Sequence, residues 1–316
     1  MPRIIIEAPA KLNLSLYIGD KRPDGFHDIE SLFLALVFGD TLCLETVKPE
    51  NSLPPLEIDM DWQLAGLQPG GNFPVLSLEN NIISRAFSLF CSRTGWKTGL
   101  KITVTKRIPL GSGLGGGSSN AAATLLALNR LACRPDEEGL LSRQELAEMG
   151  AILGSDVPFF LHNTTAAMIS GRGEHVKPVE LPQIMASLFF VLVYPGFPSS
   201  TAGAFRLFDE FRHELGIRED RRQLLLSDPP HSWRLDNDFL SVFMAAGQKY
   251  PTCSEIFSVY QDIITSLHKL GADSAGLSGS GSTCFGVFSD SGKAVTARES
   301  FLKRWPYIIN TFPLAR

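Results

Sequence analysis

A run of glycines and hydroxyl residues, Pro109-Leu110-Gly111-Ser112-Gly113-Leu114-Gly115-Gly116-Gly117-Ser118-Ser119-Asn120, carries the clearest chemistry in the 316-residue chain. Five glycines in the seven positions from Gly111 to Gly117 let the backbone approach a bulky anion without interference from Cβ atoms. An alternating strand pattern, Leu100 to Thr105, precedes the run, and an alanine-rich helical pattern from Ser118 to Cys133 follows it. The free N–H groups and the positive dipole end of that helix therefore point back at the loop, which predicts a phosphate site. A flexible linker would not pass directly from a strand into such a helix.

The loop alone leaves the phosphate ligand open. Gly111, Gly113 and Gly116 satisfy G-x-G-x-x-G, and Asp136 lies twenty residues beyond Gly116, as a dinucleotide fingerprint would have it. In a dinucleotide fold, however, that acid ends a second apolar strand, whereas Asp136 follows Cys133-Arg134-Pro135 with no strand before it. No lysine follows the glycines, so the Walker A pattern fails as well.

Other residues could do chemistry but have plain structural readings. Asp156 follows Gly154-Ser155 and precedes Val157-Pro158, the pattern of a helix N-cap. Lys11 shares the polar face of a strand with Asn13, where a solvated lysine is ordinary. His27 closes the turn Arg22-Pro23-Asp24-Gly25-Phe26, and Phe205 fits the apolar side of an amphipathic helix. Lys106 ends a strand, and Asn81 precedes a helix that starts at Ile82.

The elements that must position these residues form two α+β halves, residues 1–164 and 165–316. Strand patterns run over 4–18, 31–38, 41–46 and 100–105, with helices over 82–91, 118–133 and from the Ser142/Glu145 capping box to about Gly154. Residues 47–80 hold five prolines and little periodicity. Strands at 165–169, 188–194 and 283–288 and helices near 203–214, 239–246 and 253–270 make the second half, where 216–238 reads as a charged loop. With 44% apolar and 20% charged residues the chain can bury a core, and a formal charge of −4 points away from nucleic acid and anionic membranes. Five scattered cysteines without a C-x-x-C pair argue against a disulfide framework or a zinc site. No apolar run reaches membrane-span length, so a soluble cytoplasmic protein is expected.

Pro109 to Ala122 resembles the second motif of the GHMP kinases. Pro9-Ala10-Lys11-Leu12-Asn13-Leu14 resembles their first, and Gly276-Leu277-Ser278-Gly279-Ser280-Gly281-Ser282 their third. The order and spacing of the three match the family over nearly the whole chain. Arg22-Pro23-Asp24-Gly25-Phe26-His27, Leu153-Gly154-Ser155-Asp156-Val157-Pro158 and Gly171-Arg172-Gly173-Glu174 are similar to the branch that phosphorylates a cytidine-diphosphate-linked methylerythritol. Phe26 stands where that branch usually has Tyr, and Ser155 where it usually has Ala.

The resemblance implies a two-domain GHMP fold with the glycine loop between the halves, and an ATP-dependent kinase that uses Mg²⁺. It assigns Asp156 as the base, with Lys11 beside it to stabilise charge on the attacking oxygen and the γ-phosphate, and Asn13 to orient the acceptor. ATP would contact residues 109 to 119 together with Asn81 and Lys106, and the Ser119 hydroxyl is a candidate metal ligand; no carboxylate ligand is indicated. Phe26, His27 and Phe205 would hold the cytosine. No protein partner, nucleic acid or membrane is implied. Homoserine- or mevalonate-type acceptors and a GHMP-fold ligand sensor without turnover are the alternatives. The Asp24-Gly25-Phe26-His27 element speaks against the first, and the presence of both Lys11 and Asp156 against the second.

Overall fold

The computed structural model describes residues 2–48, 55–64, 81–133, 139–216 and 219–315. Asp136, and Asn80 before the first helix, lie outside the described residues. Two sheets lie face to face with helices on their outer sides. The first contains β1 (Arg3–Lys21), β2 (His27–Val47), β3 (Leu56–Trp62), β4 (Gly99–Lys106), β5 (Ala166–Ser170) and β6 (His175–Val179). Its order is β3-β4-β2-β5-β6, with β1 also pairing to β2. The second, in order β10-β7-β9-β8, contains β7 (Phe189–Tyr194), β8 (Ser274–Leu277), β9 (Cys284–Phe288) and β10 (Tyr307–Thr311).

Strand alternation explains the layering. Leu12 and Leu14 of β1 and Leu32 and Leu34 of β2 meet Phe190, Leu192, Phe285 and Val287 of the second sheet in one apolar cluster. The alternate residues, Val191 and Val193 on β7 and Cys284 and Phe288 on β9, face the outer helices instead. The opposite face of β1 turns to the helices of the first half, so Lys11 and Asn13 are buried rather than solvated, each 4% exposed.

Four helices belong to the first half: α1 (Ile82–Thr94), α2 (Gly116–Ala132), α3 (Arg143–Leu153) and the short α4 (Val157–Leu161). The capping box at Ser142 and Glu145 is present, with both reciprocal hydrogen bonds. Helix α2 starts two residues earlier than the alanine pattern predicts and is buried on most of its circumference, which explains why its residues are small. The second half adds the single turns α5 (Gln183–Ala186) and α7 (Leu224–Ser227) and the longer α6 (Thr201–Phe211), α8 (Asp238–Gly247), α9 (Pro251–Lys269) and α10 (Ser291–Leu302). No described helix is long and apolar enough to cross a membrane.

Several elements differ from the sequence reading. The runs 31–38 and 41–46 are one strand, because Gly39 carries β2 past β1 where a Cβ would stand 2.5 Å from the Ala8 carbonyl oxygen. Part of the proline-rich excursion forms β3, which lies parallel to β4. Residues past 164 continue the first sheet: Ser31 to Leu34 pair with Ala166 to Ile169, and β6 extends the edge. The first sheet thus runs to Val179, and the change of sheet falls between β6 and β7 rather than at residue 164.

Candidate active site

The glycine loop is gripped from behind by its carbonyl groups. Ser199 N donates to Gly111 O at 2.8 Å, Thr283 N to Ser112 O at 3.0 Å and Lys11 N to Leu114 O at 3.0 Å. The Ser278 hydroxyl donates to Gly113 O at 3.0 Å. Four successive carbonyls are therefore taken by protein donors, while no described residue accepts from the N–H groups of residues 113 to 116. A surface that shows N–H groups and hides oxygens suits an anion, and the α2 N-terminus adds its dipole. Gly113 has φ +78°, and a Cβ there would lie 2.1 Å from the Ser278 carbonyl oxygen. The second and third motifs thus meet through a backbone contact that only glycine allows, and the first joins them through the Lys11 N–H.

Beside this cradle stands Lys11. Its Nζ donates to Asn13 Oδ1 at 2.6 Å, lies 3.2 Å from Asp156 Oδ2 and sits 4.4 Å from the centre of the Phe33 ring. Asp156 occupies the N-cap position of α4, but its side chain makes no capping hydrogen bond. The cap reading therefore loses its physical basis, and the carboxylate is left for Lys11 and the cleft, with 27% of its side chain exposed. Asn13 uses both ends of its carboxamide internally, since Nδ2 donates to Ser31 Oγ at 3.0 Å. Ser31 in turn donates to the Ser15 carbonyl. That chain fixes the Lys11 ammonium.

A cleft of about 390 Å³ joins these groups, lined by Lys11, Asn13, Asp156, the loop from Pro109 to Ser118, Arg172, Phe205 and Phe239 among others. Ser119 is buried in the first turn of α2, and its Oγ has no partner among the described residues. No group of three or more His, Cys, Asp or Glu residues that could hold a metal occurs among them either.

The remaining sequence candidates fall in unequal positions. Phe205 lines the cleft, stacks on His27 with ring centres 5.4 Å apart and meets Phe239 edge-on at 5.0 Å. His27 is buried behind Phe205; Nδ1 lies 3.0 Å from Gly19 O, and Nε2 is 2.9 Å from Asp209 Oδ1 but not aligned for a hydrogen bond. Phe26 is 52% exposed and does not line the cleft itself; it meets the cleft through Arg172, whose guanidinium lies 5.0 Å from its ring centre.

Lys106 lines the cleft but gives its ammonium to Asp40, a fully buried acid that also accepts from the N–H groups of Arg107 and Ile108 at 2.7 and 2.8 Å. Burial pushes the Lys106 ammonium below its usual range, against the pull of Asp40. The pair anchors the segment that enters the glycine loop. Asp40 falls between the runs 31–38 and 41–46 and gets no role from the sequence, which also gives Arg172 and Ser278 none of their own within their motifs.

Asn81 caps α1: its Oδ1 accepts from Ile83 N at 3.0 Å. Asn81→Ala is expected to lower unfolding free energy by about 1 kcal/mol, the usual worth of such a cap. Urea denaturation measures this. If stability stays constant while the KM for ATP rises, Asn81 serves adenine and not the helix.

Comparison with known proteins agrees with the geometry. Family models described as GHMP kinases N terminal domain and GHMP kinases C terminal match residues 81–164 and 240–306. The 4-diphosphocytidyl-2-C-methyl-D-erythritol kinase of Thermodesulfovibrio yellowstonii is 34% identical over 96% of each chain. The enzyme of the same name from Pasteurella multocida is 35% identical over 94% of this chain and 85% of its own. A crystal structure of 4-(cytidine 5'-diphospho)-2C-methyl-D-erythritol kinase superposes with a TM-score of 0.73 at 28% identity, covering 99% of this chain and 100% of that one. Homoserine kinase from Cytophaga hutchinsonii, at 18% identity and TM-score 0.62 over 100% and 95% of the two chains, shares the fold. With a phosphate cradle clasped by all three motifs and relatives matched along nearly its whole length, the chain belongs to the 4-diphosphocytidyl-2-C-methyl-D-erythritol kinase family of the GHMP kinases.

Proposed function

We infer that this protein transfers the γ-phosphoryl group of ATP to the 2-hydroxyl of 4-diphosphocytidyl-2-C-methyl-D-erythritol, in the non-mevalonate route to isoprenoid precursors. The observation that carries the reading is the Lys11–Asp156 pair, 3.2 Å apart, at the edge of a loop whose N–H groups are free. Phosphoryl transfer asks little covalent chemistry of a protein and much positioning and charge stabilisation. Asp156 would accept the proton of the attacking hydroxyl, and Lys11 would stabilise negative charge on that oxygen and on the transferred group. Asn13, engaged at both ends, supports a positioning role towards Lys11 more than a grip on the acceptor.

The ATP phosphates would lie on residues 109 to 119, and the unpartnered Ser119 hydroxyl would be this chain's candidate ligand for Mg²⁺. Bound there, Mg²⁺ would neutralise charge between the phosphates. Phe205, with Phe239 behind it and His27 against its face, supports a flat pocket for the cytosine, and the exposed Phe26, beyond Arg172, would close its other side. Lys106, held by Asp40, supports the adenine side by fixing the strand end beneath the loop. All five cysteines are free, which supports action in the cytoplasm.

An ATP-dependent assay that compares the cytidyl alcohol with homoserine and mevalonate tests the assignment. Transfer to homoserine or mevalonate in preference to the cytidyl substrate would overturn it. Phe205→Ala is expected to raise the KM for the cytidyl substrate roughly tenfold, in line with the ~1–3 kcal/mol of a base stacked on an aromatic ring. The KM for ATP should stay constant, because the lost contact is remote from the nucleotide. Equal KM values for wild type and variant would remove Phe205 from the base pocket.

A further inference from the structure

We propose that Arg172 binds the diphosphate of the acceptor and forms a subsite between the base pocket and Asp156; this rests on the cytidyl substrate being the acceptor. The Gly171–Gly173 turn that carries it, between β5 and β6, is pinned at both ends. Ile29 N donates to Gly171 O at 2.7 Å, just past His27. Gly173, with φ +124°, lies so close to the residue before Asp156 that a Cβ there would stand 2.9 Å from Ser155 Cβ. Arg172 therefore spans the wall from Ser155 to Phe26, with its guanidinium 5.0 Å from the Phe26 ring centre.

Charge makes the same point. An acceptor with a nucleoside at one end and the reacting alcohol at the other brings two phosphates into the middle of the cleft. Three cationic side chains line it. Lys11 is committed to Asp156 and Asn13, and Lys106 to Asp40. Arg172 Nε lies 3.5 Å from Glu174 Oε1, and no described residue accepts a hydrogen bond from its two terminal nitrogens. A guanidinium fork with free ends suits a phosphate bidentately, and a side chain only 29% exposed is partly protected from screening. The ring contact with Phe26 keeps the fork extended along the wall.

Competitive inhibition by cytidine and by cytidine diphosphate, measured on the wild-type protein and on Arg172→Met and Arg172→Lys, tests this. Wild type should prefer the diphosphate, and Arg172→Met should lose about tenfold or more of that preference, as expected for one charge-assisted contact. Its affinity for cytidine and its KM for ATP should remain unchanged. Arg172→Lys should recover part of the loss. Added salt should erode the preference in wild type and leave the Met variant flat. If the Met variant weakens cytidine and cytidine diphosphate equally, Arg172 acts only by packing on Phe26 and the proposal falls. It also falls if neither affinity moves while wild type still phosphorylates the cytidyl substrate. A wild-type protein that neither binds cytidine diphosphate nor transfers phosphate to that substrate would instead remove the acceptor reading, and this subsite with it.

Discussion

Asp156→Asn is expected to lower kcat by roughly two orders of magnitude or more, the range for loss of a general base. The KM for ATP should change little, because the amide occupies the same space and no phosphate contact is assigned to this side chain. Stability should also hold. The carboxylate makes no capping bond that the substitution could break, and asparagine is as good a residue at an N-cap as aspartate. Lys11 keeps Asn13 Oδ1 at 2.6 Å and the Phe33 ring, and an amide oxygen can still accept from its ammonium. Steady-state kinetics and a thermal melt on the same preparation separate the two roles. A variant that works at near wild-type rate but melts lower would make Asp156 a structural residue, and the proposed chemistry would lose its base.

That outcome bears on what a sequence can say about a site. The glycine loop was legible because its function depends on composition: glycines for close approach and small residues for a helix buried nearly all round. Leu12 and Leu14 announced an apolar face, but the other face of β1 looked solvent-exposed because Lys11 and Asn13 are polar. Only packing against α2 makes it a buried wall, and periodicity along one strand cannot report what lies across from it. Asp156 shows the converse. Its neighbours spell a helix cap and the backbone does start a helix there, yet the side chain turns away to a lysine 145 positions earlier in the chain. Asp40 and Arg172 remained without a role because each depends on a partner set by tertiary fold: Lys106 for the first, the turn at Phe26 for the second. Strands β3, β6, β8 and β10 all lie at sheet edges; β6, β8 and β10 are four or five residues with little alternation, whereas β3 alternates fully from Leu56 to Trp62 but lies in the proline-rich excursion that reads as loop.

The strongest effect on nucleotide binding is expected from Gly115→Val. Gly115 adopts φ +71° and ψ 18° immediately before α2, a conformation that a β-branched residue resists. A Cβ there would lie 2.9 Å from Lys11 Cγ and 3.2 Å from Phe160 Cζ, so the added side chain presses on Lys11 as well as on the helix start. Relief requires the loop to turn, and turning it moves the free N–H groups of residues 113 to 116 off the phosphates together. Two lost hydrogen bonds to a charged group, at about 1.5–3 kcal/mol each, amount to a loss in ATP affinity of more than about a hundredfold. Calorimetry with ATP measures it. Gly95→Val supplies the control: Gly95 has φ +73° at the C-cap of α1, and a Cβ there would meet nothing within 4 Å, so it shares the backbone strain but touches no part of the cleft. The control should melt lower and bind ATP as wild type does. Should Gly115→Val fold and bind ATP with unchanged affinity, the loop is not the phosphate site, and the shared grip of the three motifs serves the fold alone.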